Sequence, residues 1–154
     1  MPRKPSPADA QLILQLYDLR REAELRKARN WWLITFWPNT ADDFIKVALA
    51  MGTQENNWLR QVGGYWDMAA SLVLHGTIHP ELFLEGAVSG EMYFIYAKIR
   101  PILKELREKM QSPGLFSNVE KVIMSSKTGR ERLKTITARV ESRRKAMSET
   151  AKAN

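Results

Sequence analysis

Between Met92 and Met110 the apolar residues Met92, Tyr96, Ile99, Leu103, Leu106 and Met110 stand alternately four and three apart. That is the spacing of a packed helix seam, and a segment built this way buries its apolar side chains only as a helix covered by other elements. Pro101 lies inside the seam. Because the pattern keeps its phase through the proline, a kinked but continuous helix is predicted, with the carbonyl of Ala97 left without its usual donor.

The rest of the chain carries the same period. Ser6, Pro7 and Asp9 read as a hydroxyl N-cap, a proline in the first turn and an early acid, followed by Leu12, Leu16, Leu19 and Ala23. This first helix is predicted to be long, to gain support from the pair Glu22 and Arg26, and to run into Asn30-Trp31-Trp32, stopping by Trp37 ahead of Pro38. Thr40 to Asp43 resembles a capping box for a helix ending near Gly52. Trp58, Val62, Tyr65, Trp66, Ala69, Leu72 and Val73 stripe a third helix, crossed by Gly63-Gly64. Helical glycines cost about 1 kcal/mol each against alanine, so the close approach of a neighbouring helix or a ligand is expected there. Gly76 reads as a left-handed C-cap, Pro80 opens a short helix to about Val88, and Ser89-Gly90 marks the start of the long seam. Ser112-Pro113-Gly114 breaks the chain, a short helix follows through Val119, Val122 and Ile123, and Gly129 reads as another interruption. Leu133, Ile136, Val140 and Met147 then stripe a last helix. No strand-like alternation occurs. The expectation is a single-domain, all-α bundle of five to seven helices: a disordered tail over 1–6, a body over 7–111, and a C-terminal extension over 112–154 ending in a basic helix.

Charge is segregated along the chain. Met1 to Glu120 holds 14 basic and 14 acidic residues, while Lys121 to Asn154 holds ten against three, which accounts for the whole net charge of +7. Five Trp, five Phe and four Tyr within 44% apolar residues exclude a chain disordered throughout. No cysteine is present, so disulfides, thiol nucleophiles and cysteine zinc sites are excluded, and a reducing, cytoplasmic setting is expected. The longest strongly apolar run, Trp31 to Trp37, is far short of the roughly 20 residues that span a bilayer.

Few residues suggest chemistry. His75 and His79 are four apart, but Gly76 and Pro80 place a turn between them, so no metal is expected. Lys127-Thr128-Gly129 lacks the preceding Ser-x-x-Lys that would make it part of a serine β-lactamase site. Asp67, Glu85 and Glu91 offer carboxylates that nothing in the sequence pairs. No cofactor is implied. Trp31, Trp32 and Trp37 suit either the core at a helix end or a patch for a protein partner. The basic residues Arg130, Arg132, Lys134, Arg139, Arg143, Arg144 and Lys145 suit either a helix packed on the body or a second subunit, with its charges facing water, or a nucleic-acid contact. The latter lacks an aromatic residue for base stacking.

From Trp58 to Glu108 the sequence resembles an uncharacterised bacterial and phage family of helical proteins known only as a domain of unknown function. The likeness rests on the helix through Leu72-Val73 closed by Gly76 and Ile78, on the segment Tyr96-Ala97-Lys98-Ile99-Arg100-Pro101-Ile102, and on Arg107. Tyr96 stands where that family usually has tryptophan. The resemblance implies a compact helical domain and supplies no functional residue. The expectation overall is a non-enzymatic interaction or regulatory module that self-associates or binds a protein partner, with nucleic-acid binding through the last helix as the alternative.

Overall fold

The structure, a computed structural model, describes residues 3–154 and is all-α, with eight α-helices, one π-helical turn and no strand among the described residues. Helix α1 (Pro7–Leu19) opens as its sequence requires: Ser6 accepts from the Asp9 amide, and Asp9 Oδ2 accepts from the Ser6 amide at 2.7 Å. The expected disordered tail is corrected from Arg3 onward, Met1 and Pro2 lying outside the described residues. Asp9 is buried and gathers both Arg3 guanidinium nitrogens at 2.6 Å and the His79 amide at 2.7 Å. The carbonyl of Arg3 in turn meets His79 Nε2 at 2.6 Å. A buried carboxylate needs such partners, and they tie the tail down.

The long first helix is also corrected. It breaks at Arg20 to Glu22, and α2 (Ala23–Asn30) starts anew because the Glu22 carboxylate accepts from the Glu24 and Leu25 amides at 3.1 and 2.8 Å. Glu22 thereby caps a helix instead of pairing with Arg26, which donates to the Arg21 carbonyl at 2.8 Å. The break turns Arg20 inward against the rings of Tyr17 and Trp66, at 5.0 and 5.1 Å. A π-helical turn, Trp31–Thr35, follows, in which Phe36 N–H donates to the Trp31 carbonyl at 2.9 Å.

Thr40 and Asp43 form the expected capping box of α3 (Ala41–Leu49), and α4 (Gln54–Leu74) carries the predicted stripe. Gly76 has φ +75°, the left-handed turn read from sequence. The short helix that follows is smaller than expected: α5 is Pro80–Phe83, and α6 (Gly86–Lys109) already contains Ser89, whose φ of −123° and ψ of 20° mark a kink. Through Pro101 α6 is continuous, and Met92, Tyr96, Ile99, Leu103 and Leu106 are buried along it. Helix α7 (Ser117–Met124) is short, and α8 (Lys127–Ala153) is the longest.

Helix α4 packs against α2, α3 and α7, and α6 packs against α3, α7 and α8. One core runs from Leu16 to Val140, so residues on both sides of the Ser112-Pro113-Gly114 turn belong to it. No described helix is long and apolar enough to cross a membrane.

Candidate functional site

The basic helix begins where α7 ends, and a glycine sets its direction. Ser126 Oγ accepts from the Gly129 amide at 2.9 Å, so Gly129 lies in the first turn of α8 and interrupts nothing, contrary to expectation. A β-carbon there would lie 2.1 Å from the Ile123 carbonyl oxygen, which is why the position is glycine. Leu133 and Val140 are then buried against the body, with Ile136 partly so.

The packing reading expects the charges of α8 to face water, and Arg132 and Arg144 do not. Arg132 donates to the Leu84 carbonyl and lies 3.8 Å from Glu85. Arg144 donates to the carbonyls of Pro38 at 3.0 Å and Lys98 at 3.1 Å, and to Asn39 Oδ1 at 2.7 Å. The Lys98 carbonyl is one residue from that of Ala97, which Pro101 deprives of a donor. Burial lowers the Arg144 pKa from its ordinary value. Arg130 donates to the Met124 carbonyl at 2.7 Å. Lys134, Arg139 and Lys145 are exposed and form no ion pair among the described residues. The cations divide between two flanks of the helix. Arg130 and Lys134 line a groove with Arg100, whereas Arg132, Arg139 and Arg143 line another with Phe94 and Ile136.

Under Arg144 lies an aromatic layer. Trp31 and Trp32 are buried, Trp31 stacked on Phe36 at 4.4 Å and Trp32 edge-on to Phe116 at 6.4 Å. The reading of Trp31 and Trp32 as a partner patch is therefore corrected: aromatic area this large is covered by the fold itself. Trp37 is half-buried, packed edge-on against Phe94, with Arg143 and Arg144 over its ring at 5.5 and 5.4 Å.

Lys98 is the functional-looking residue that pattern reading passes over. It is 1% exposed, donates to the carbonyls of Trp32 and Phe36, and sits 4.6 Å from the centre of the Trp37 ring. The π-helical turn explains this, because the Phe36 amide goes to Trp31 and leaves the Trp32 carbonyl for another donor. An ammonium at that helix end also meets the negative end of its dipole. Burial first, then Arg144 and Arg143, push the Lys98 pKa down to about 7. The available signal was a single charge inside the apolar run Ile95 to Ile99.

The other residues singled out are committed elsewhere. His75 Nδ1 lies 2.8 Å from the Ser71 carbonyl and is exposed, whereas His79 is buried on Arg3, so the two imidazoles share no site. Asp67 accepts from the amides of Asn118 and Val119 at 3.1 and 3.3 Å and so caps α7 from another helix. Glu91 binds Arg29 at 2.7 Å and Trp66 Nε1 at 3.0 Å. Glu85 is exposed. No group of three potential metal ligands occurs among the described residues.

Residues 5–126 match the family described as a domain of unknown function, DUF4760. The chain belongs to that family. Its match extends well beyond the Trp58 to Glu108 resemblance and stops just before α8, so the family region holds the whole aromatic layer and Lys98, while the Arg144 clamp lies outside it. No curated protein and no solved structure matches the chain.

Proposed function

We propose that the chain is a non-enzymatic interaction or regulatory module that associates with a second copy of itself, the far end of α8 being the element that reaches it. The observation that carries this reading is that every residue from Lys145 to Asn154 is exposed although the helix runs to Ala153. A few turns of isolated helix are marginal in water, since helical stability in proteins comes chiefly from packing an apolar face. The seam of Leu133, Ile136 and Val140 continues to Met147, which is 41% exposed, so a second copy covering it would stabilise this end. The non-enzymatic part draws support from the acids: Asp67 is engaged as a cap and Glu91 in an ion pair. The absence of cysteine accords with a cytoplasmic setting.

Nucleic-acid binding is the second reading. The exposed cations Lys127, Arg130, Lys134, Arg139, Arg143 and Lys145 favour it. Their division between two flanks, and the engagement of Arg132 and Arg144 in docking, favour the first. One experiment separates them: mass by light scattering for the full chain and for a chain ending at Arg144, with and without duplex and single-stranded competitors. The expected result is an oligomeric full chain and a monomeric, equally folded truncation. A full chain that stays monomeric at every accessible concentration would remove self-association. Steeply salt-dependent binding to DNA or RNA, lost in an Arg139→Gln, Lys145→Gln double variant, would put the second reading in its place.

A further inference from the structure

A cleft of about 380 Å³ opens between α3, α4 and the segment leading into α7, a volume at the lower end of small-molecule pockets. It is lined by Phe44, Leu59, Met110 and Phe116, and by Gly63 and Gly64 of α4. The two glycines differ. A β-carbon on Gly63 would stand 3.2 Å from the Phe116 ring, so packing accounts for it. A β-carbon on Gly64 would meet nothing within 4 Å, so packing does not account for a helical glycine costing about 1 kcal/mol against alanine. Gly64 is exposed and lines the cleft, so a long side chain there would reach across its opening. The facing wall is strained as well: Phe116 holds φ of 54°, a conformation that residues other than glycine rarely adopt.

The charges at the cleft are asymmetric. Arg60 is held by Asn56 Oδ1 at 3.1 Å and Asn57 Oδ1 at 2.9 Å, both neutral, and forms no ion pair among the described residues. Asp67, the one acid lining the cleft, is engaged by the amides of α7. Seven residues separate Arg60 from Asp67 on one helix, which is about 10 Å along its axis, so a ligand sees a cation at one end only.

We propose that this cleft binds a small organic carboxylate with an apolar body, its carboxylate on Arg60 and its body over Gly63 and Gly64. This holds whether or not the chain self-associates. The test uses octanoate, with octanol and octylamine as uncharged and cationic counterparts, titrated calorimetrically into the full chain and into Gly64→Leu and Arg60→Gln. Octanoate is expected to bind best. Gly64→Leu should melt no lower than the wild type, since leucine favours the helix, and should lose binding; Arg60→Gln should weaken binding by about tenfold, the equivalent of one charge-assisted hydrogen bond. Should Gly64→Leu fail to fold, Gly64→Ala is the second variant, expected to melt higher and bind more weakly. Octanoate that binds no better than octanol, that does not bind at all, or that binds a folded position-64 variant as it binds the wild type would overturn the proposal.

Discussion

At Gly129 a β-carbon would lie 2.1 Å from the carbonyl oxygen of Ile123, an atom of the backbone that cannot swing aside. Gly129→Ala is therefore expected to destabilise the protein by about 3 kcal/mol or more, despite alanine's better helix propensity, because overpacking outweighs propensity here. Urea unfolding of the two proteins measures the difference, and an equal or higher midpoint for the variant would contradict the close α7 to α8 junction. Lys98 makes a pH-dependent prediction. Its folded-state pKa of about 7 lies below its unfolded value, so between those two values the unfolded chain binds the extra proton. Stability is then expected to rise as pH increases from about 7 towards about 10, where the unfolded lysine titrates. Lys98→Met should flatten that rise, whatever it does to absolute stability, and melting temperatures across that window report it.

Helix α8 is held at both ends of its docked portion by arginine. Arg144 serves three acceptors in two segments, Pro38 and Asn39 in one and Lys98 in the other, so its loss leaves part-buried carbonyls without that donor. Arg144→Ala is expected to cost about 2 kcal/mol, whereas Arg139→Gln, an exposed cation five residues earlier, should stay within about 0.5 kcal/mol of the wild type. Thermal or urea unfolding compares them, and equal effects would show that the clamp is ordinary surface charge. From sequence these two arginines are indistinguishable. Both sit among like residues on a polar face, and what separates them is the position of a carbonyl 46 residues away.

For the molecule as a whole, the family region ends at residue 126 and α8 begins at Lys127, yet Leu133 and Val140 belong to the common core. A chain ending at residue 126 is expected to melt well below the full protein and to expose apolar surface on α6, which dye binding and thermal melts detect; an equally stable fragment would make α8 an appendage. The features legible in the sequence share a short range. The Ser6 and Asp9 cap, the Thr40 and Asp43 cap, the left-handed Gly76 and the seam through Pro101 are each set by atoms within a few residues of one another, so local chemistry alone determined them. The break at Glu22 was short-range as well, but a glutamate cap looks like any other charge on an amphipathic face. What only the tertiary structure decided are pairings between distant segments: Asp67 capping α7, Lys98 on the π-helical turn, Arg144 on the Lys98 carbonyl and Phe116 against Gly63. Each of these joins a group with unmet hydrogen bonds or unfilled space to a partner dozens of residues away, and periodicity carries no record of such a partner, because it reports which face is buried and not what that face meets.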